Sequence, residues 1–219
     1  MRGISFRLSP ALAAAFVLAL PASSALAGDL TLRPSGFGAH SYAAWKAQQG
    51  EPDSSGSSNQ ALYFQKMTPT PTFAAGVAVI DGIAGTPASE LTGLSWDHRE
   101  DGHCGAGAPR WNVGFSVGGG PTQTIFLGCA SASHDDSPPP ASGHDWCRDE
   151  QPSPATLLPP NATITSLAIV FDEGNDTPNP PPAGCDQEQP AGGFGHLDNI
   201  TVEVDGAPHV WTSARDNGN

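Results

Sequence analysis

The feature that most constrains the fold is a series of short apolar runs, each bounded by Gly, Pro, Asn or Asp. Runs of this length are typical of β-strands and are too short for core helices. Only the segment SYAAWKAQQG indicates a short helix, ending at Gly50. The predicted strands cover residues 61–66, 76–80, 91–97, 110–117, 123–129, 164–171, 197–204 and 208–212.

Some eight short strands separated by turn segments predict an all-β fold. The expected architecture is an antiparallel β-sandwich of jelly-roll type with long Pro/Gly-rich loops. Residues 1–27 are interpreted as a signal peptide, because Arg2 and Arg7 precede an apolar run that ends in the small-residue segment ALA. This run is broken by proline and is shorter than a membrane-spanning helix. Residues 28–219 are expected to form a single secreted domain, extracellular or periplasmic.

The charge of the chain limits its partners. It carries 22 acidic residues and nine basic ones, and its formal net charge is −13. Nucleic acids and anionic membranes are bound through basic patches, so neither is an expected partner. An acidic surface that keeps the protein in solution is the simplest interpretation.

Four cysteines in an exported chain indicate two disulfides, for which three pairings exist. We expect Cys104–Cys129, which would join the two ends of one hairpin. We also expect Cys147–Cys185, which would join two proline-rich loops. The sequence contains no CxxC spacing, so a zinc ribbon is not expected.

A candidate ligand-binding face lies on the hairpin of the strands 110–117 and 123–129. Alternation places Trp111 and its same-phase neighbours in the core. If the GGGPT loop pairs Val117 with Gln123, Phe126 lies opposite Gly114 on the outer face, together with Arg110 and Asn112. An exposed ring among hydrogen-bonding side chains is typical of sugar-binding sites. The alternative is a ring that only covers a glycine.

Acidic residues lie at one end of each of two predicted strands. In HLDNITVEV, Asp198 has the alternation phase of the aliphatics at positions 200, 202 and 204, so its carboxylate is expected at the rim of the core, where it needs a partner. Backbone amides or an arginine such as Arg110 or Arg99 could satisfy it. Calcium is the other candidate, held together with acids of the DEGND segment. The expected ligands of such a structural calcium are Asp198, Asp172, Glu173 and Asp176.

The sequence evidence for a catalytic site is weaker than that for a binding face. The chain has no GxSxG motif, although glutamates such as Glu173 leave open a glycosidase-like carboxylate pair. Histidines lie beside acids in DHREDGHC and SHDDSPPPASGHDW, which would suit a transition metal, but no HxH or HExxH spacing fixes such a site. Solvated loop histidines are the alternative.

The segments ITSLAIVFDEG and GHLDNITVEV resemble strands of secreted jelly-roll modules of the galactose-binding-like and carbohydrate-binding type. In those families the acid matched by Asp198 often helps to hold a structural calcium. The combination CGAGAPRWNV and FLGC is also similar to a pattern of uncharacterised secreted bacterial proteins.

The residues and the resemblance together predict a secreted, non-catalytic binding or cell-envelope interaction protein. An extracellular glycan is the first candidate ligand, bound through Phe126, Asn112 and Arg110. The alternatives are a secreted hydrolase that uses loop carboxylates and a purely structural extracellular protein.

Overall fold

The computed structural model of the chain describes residues 29–52, 58–135, 144–177 and 192–217. These residues form two antiparallel β-sheets that pack face to face as a sandwich, which confirms the predicted fold class. Within the described ranges, helix is limited to Pro154–Leu157 and three single 3₁₀ turns. Among the described residues, no helix is long and apolar enough to cross a membrane.

One sheet has five strands, ordered β1-β4-β10-β6-β7. They are β1 (Thr31–Phe37), β4 (Ala75–Asp81), β10 (Ala162–Phe171), β6 (Arg110–Val117) and β7 (Gln123–Gly128). The other sheet has seven strands, ordered β2-β3-β11-β5-β9-β8, with β12 also paired to β11. They are β2 (Ser41–Lys46), β3 (Ala61–Lys66), β11 (Phe194–Val204), β5 (Leu91–Arg99), β9 (Trp146–Glu150), β8 (Ser133–Asp135) and β12 (Ala207–Trp211).

The hydrophobic core lies between the inner faces of the two sheets. Trp96 of β5 stacks on Trp111 of β6 across this layer, with ring centroids 5.3 Å apart, and both side chains are fully buried. Val113 and Phe115 are buried beside Trp111, as the alternation of β6 predicted. Replacing one of these tryptophans by alanine would cost roughly 3 to 5 kcal/mol, because the cavity adds to the lost burial.

The segment predicted as a short helix is strand β2, so that prediction was wrong. Its residues alternate: Ala43 is buried in the core and Trp45 packs against it, whereas Tyr42 and Lys46 lie on the outer face. Tertiary pairing with β3 outweighs the helix propensity of the two adjacent alanines.

The β6–β7 hairpin has a different register from the expected one. Phe115, rather than Val117, pairs with Gln123, and this places Phe126 opposite Asn112 instead of Gly114. The longer connection contains Gly118 and Gly119, both with positive φ, which suits a wide turn. Because the shift is two residues, every side chain keeps its predicted face.

Strand β11 contains a β-bulge at Asn199, where φ is +44°. Leu197 and Ile200 are both in the core although they are three residues apart, so the extra residue reverses the alternation. Asp198 therefore pairs with Asp97 on the outer face, opposite to the phase predicted from its aliphatic neighbours. Asp198 is nevertheless only 1% exposed, because residues 50 and 51 cover it.

Candidate functional site

The described surface has a cleft of about 410 Å³ at one end of the sandwich, which we call the Phe73 cleft. It lies between the loop that joins β3 to β4, the segment that follows β10, and the residues that precede β6. Its lining residues are Phe37, Lys66, Thr70, Pro71, Thr72, Phe73, Ala74, Gly107, Asp172 and Glu173.

Lys66 holds the β3–β4 loop in place from inside. This lysine is only 1% exposed, and its ammonium donates hydrogen bonds to the carbonyl oxygens of Thr70 (2.7 Å), Thr72 (2.9 Å) and Asp172 (2.6 Å). Burial lowers the pKa of Lys66, and the charges of Asp172 and Asp176 oppose this effect. Three charge-assisted hydrogen bonds replace the water that the ammonium loses, so the loop is fixed to the end of β10.

The same loop is bound a second time by the DEGND segment. Oδ1 of Asp176 accepts from the backbone N–H of Thr70 (2.7 Å) and from its hydroxyl (2.8 Å). These hydrogen bonds lower the pKa of Asp176. The backbone N–H of Gly174 donates to the Thr70 hydroxyl at 2.9 Å. The loop is therefore well ordered, although it lies at the surface.

This braced loop exposes an aromatic ring. Phe73 is 88% exposed, and its ring contacts that of Phe37 at 4.8 Å between centroids. Phe37 is the last residue of β1, so the ring pair joins this strand to the fixed loop beside the cleft. Sequence reasoning missed both phenylalanines. The only signal was a single aromatic residue after the polar TPTPT segment.

Two carboxylates form the opposite wall of the cleft. Asp172 accepts hydrogen bonds from the guanidinium of Arg110 with both oxygens, and the contact of Arg110 Nη2 with Asp172 Oδ2 is 2.7 Å. Glu173 pairs with Nε2 of His103, whose ring is buried against Phe171. A Cβ on Gly107 would collide with the Glu173 carboxylate, so glycine leaves the room that this side chain occupies. Asp172 is thus held by the Arg110 guanidinium, and Glu173 is held by the His103 imidazole.

The predicted ligand-binding residues Arg110, Asn112 and Phe126 lie together beside this cleft. The Arg110 guanidinium lies 5.3 Å from the centroid of the Phe126 ring, and its Nε donates to Asn112 at 3.1 Å. Phe126 is 59% exposed. Because Arg110 also binds Asp172 and the carbonyl of Gly107, this face continues into the Phe73 cleft.

The four acids predicted to bind calcium have partners in two different regions. Asp172, Glu173 and Asp176 bind Arg110, His103 and Thr70, as described above. Asp198 accepts from the backbone N–H of Glu51 (2.8 Å) and from that of Asn199 (2.7 Å). These amides are fixed donors of the kind expected as the alternative to a cation.

One group of potential metal-ligand atoms within 4.8 Å of one another occurs among the described residues, and it contains none of those four acids. Its members are His98, Cys104, Cys129 and Asp149. The two sulfurs form the predicted Cys104–Cys129 disulfide, with Cα atoms 5.5 Å apart, so they are not thiolate ligands. Cys147 is buried and disulfide-bonded, while its expected partner Cys185 lies outside the described residues.

Asp149, which is fully buried, organises the polar part of the core. Its Oδ2 accepts from Trp96 Nε1 (2.7 Å) and His98 Nδ1 (2.6 Å), and its Oδ1 accepts from His134 Nδ1 (2.6 Å). Three donors satisfy a carboxylate that would otherwise be costly to bury. These two histidines, predicted as solvated or metal-binding, are therefore structural partners of one carboxylate. His144, of the same sequence segment, lies 3.6 Å from Asp101.

No protein-family model matches the chain, and comparisons with curated proteins and with solved structures find no significant match.

Proposed function

We propose that the protein is a secreted, non-catalytic carbohydrate-binding domain and that the Phe73 cleft, together with the adjoining face of Arg110, Asn112 and Phe126, is its binding site. The observation that carries this proposal is the Phe73 ring, which is almost fully exposed on a loop fixed by Lys66 and Asp176. The signal-like first 27 residues and the Cys104–Cys129 disulfide support an oxidising, extracytoplasmic location.

A rigid aromatic ring suits a sugar ligand. The apolar face of a pyranose packs on an aromatic face, and the ring has few rotatable bonds to immobilise on binding. Because the loop is fixed before the ligand arrives, binding does not have to order it. Phe37 supports the ring from one side and leaves the rest of its surface for contact.

The carboxylates supply the polar half of such a site. Asp172 and Glu173 are acceptors for sugar hydroxyls, and Arg110 and Asn112 are donors on the neighbouring face. Arg110 and His103 hold these acceptors in fixed positions, which favours selection among hydroxyl geometries. About 410 Å³ is within the usual range of small-molecule sites.

The arrangement favours binding over glycoside hydrolysis. A glycosidase needs one carboxyl group as proton donor and a second as nucleophile or base, placed across the scissile bond. Here both oxygens of Asp172 accept hydrogen bonds from Arg110, and Glu173 is paired with His103. Both carboxylates therefore serve as positioned acceptors.

The test is a glycan array with purified protein, followed by titration calorimetry on each hit. Phe73→Ala is expected to weaken binding at least tenfold, which corresponds to about 1.4 kcal/mol, while Phe73→Tyr keeps the ring and most of the affinity. Leu157→Ala, which truncates another exposed apolar side chain, is the matched control.

The unfolding midpoints of these variants should equal that of the wild type, because an exposed ring leaves no cavity. Chromatography of the hit after incubation detects hydrolysis. Released product would reject the non-catalytic assignment. Unchanged affinity in Phe73→Ala, or no hit at all, would reject the Phe73 cleft as a glycan site and favour the structural role.

A further inference from the structure

A second cleft, of about 360 Å³, opens on the outer face of the seven-stranded sheet. Strands β2, β3 and β11 and the segment after β2 form its walls. Its lining residues are Tyr42, Lys46, Ala47, Gln49, Tyr63 and His196, and we call it the Tyr63 cleft. None of these residues lines the Phe73 cleft.

Aromatic side chains form its floor. The ring of Tyr63 lies 4.9 Å from that of His196 and 5.8 Å from that of Tyr42, measured between centroids. Phe194 extends the row at 6.4 Å from Tyr63. Their order follows from pairing, because Tyr63 of β3 is opposite both Ala44 of β2 and His196 of β11. Three adjacent strands thus present one aromatic surface.

His196 carries a polar atom without a partner. Its side chain is about nine-tenths buried, with 6% of the residue exposed, and Nδ1 has no hydrogen-bond partner within the described part of the chain. Burial, followed by the positive charges of Arg99 and His144, lowers the pKa of His196 to about 2, so the ring is neutral at physiological pH. The buried imidazole therefore adds a neutral ring to the wall of the cleft.

The charged groups around the cleft are mainly cationic. The Lys46 ammonium lies 5.3 Å from the Tyr42 centroid and 5.7 Å from the Tyr63 centroid, and it makes no ion pair with any described residue. Arg99 lies behind the cleft, bound to Asp101 at 2.5 Å and to the side-chain oxygen of Gln49 at 2.8 Å. The amide nitrogen of Gln49 is thereby left as a donor for other groups.

We propose that the Tyr63 cleft binds a hexuronic acid residue, that is, a sugar ring that carries a carboxylate. The tyrosine rings accept the pyranose face, Lys46 pairs with the carboxylate, and the Gln49 amide donates to a hydroxyl. This site is separate from the Phe73 cleft and does not depend on it.

The acidic composition of the chain does not oppose an anionic ligand here. At physiological ionic strength the screening length is about 8 Å, so carboxylates farther away contribute little to the potential in the cleft. Arg99 is paired with Asp101, so the Lys46 ammonium is the nearby charge that a ligand in the cleft would meet. A cationic ligand, in contrast, would be repelled by the Lys46 ammonium.

The experiment is titration calorimetry of the full chain with a tetramer of galacturonic acid and with the same tetramer after reduction of its carboxyl groups. The acidic tetramer is expected to bind at least tenfold more tightly than the reduced one. Its affinity should fall as salt is raised, because one ion pair is being screened.

Lys46→Met removes the charge and keeps most of the apolar stem. It is expected to abolish the preference for the acidic tetramer, while Lys46→Arg retains it. Phe73→Ala is the control for the other cleft and should leave this preference unchanged, so failure of the first proposal is distinguishable from failure of this one. Equal affinity for both tetramers, absence of binding to the acidic tetramer, or an unaltered preference in Lys46→Met would each overturn the assignment.

Discussion

Replacing Glu51 by glutamine tests whether the outer face of β11 and β5 contains a buried acid whose pKa is raised to near neutrality. Glu51 is 8% exposed, and its Oε1 is buried without a hydrogen-bond partner among the described residues. The Asn199 amide nitrogen donates both to Glu51 Oε2 and to Asp97 Oδ2, at 2.6 Å each. Burial, and then the charge of Asp97, raise the pKa of Glu51 to about 7; Arg148 opposes this effect.

The sign and size of the effect follow from that pKa. Between the ordinary value of 4.5 and about 7 the folded chain binds a proton that the unfolded chain releases, so the contribution of Glu51 to stability falls as the pH rises through this window. The full shift corresponds to about 3 kcal/mol, and solvent screening at the edge of the covering segment reduces it to about 2 kcal/mol. Glutamine has nearly the shape of the protonated acid and carries no charge at any pH.

The assay is urea unfolding of wild type and Glu51→Gln at pH 5 and pH 8, with the disulfides intact. Glu51→Gln is expected to equal the wild type at pH 5 and to be about 2 kcal/mol more stable at pH 8. Taking the difference between the two chains at each pH cancels the titrating groups that do not interact with Glu51, and Asp97, which does interact with it, is part of the measured effect. Glu150→Gln removes the same charge from an exposed position and should show no such change. If the difference between wild type and Glu51→Gln is the same at both pH values, the raised pKa of Glu51 is refuted.

Three further outcomes are expected. Lys66→Met should lower the free energy of unfolding by about 3 kcal/mol, because three carbonyl groups lose their donor, and limited proteolysis should then cut the β3–β4 loop. Between pH 7 and pH 5, the free energy of unfolding of the wild type should fall by about 2 kcal/mol more than that of His196→Phe. The low pKa of His196 means that the unfolded chain takes up a proton below pH 6.5 and the folded chain does not. The thermal midpoint should be the same in calcium and in chelator, because backbone amides already satisfy Asp198, and a midpoint raised by calcium would instead support the predicted metal site.

The predicted strands were the most reliable part of the sequence analysis, because core strands alternate or run apolar between turn residues. Strand β6 matched its predicted bounds, as did β3. Besides β2, which was predicted as a helix, strands β1, β8 and β9 were not predicted. The first contains Pro34 and Gly36, which weaken a strand signal, and the other two are only three and five residues long.

The candidate site was only partly predictable. Arg110, Asn112 and Phe126 share a face as expected, since face depends only on alternation within two strands. The Phe73 cleft depends on Lys66 and Asp172, which lie 106 positions apart in the chain, and no local pattern encodes such a contact. The burial of Asp198 on the outer face required a bulge at Asn199 and a covering segment from another strand connection, neither of which has a periodic signature.

The way in which Lys66 binds its partners affects how this protein could be altered. All three acceptors of the ammonium are main-chain oxygens, which every amino acid possesses. The hydrogen bonds of Lys66 therefore do not depend on most side chains at positions 71 to 73. The tip of the loop can change in sequence while its backbone path is retained. This separation of scaffold from contact surface would make the tip a suitable place for a combinatorial library, in which new ligand preferences are selected on an unchanged framework.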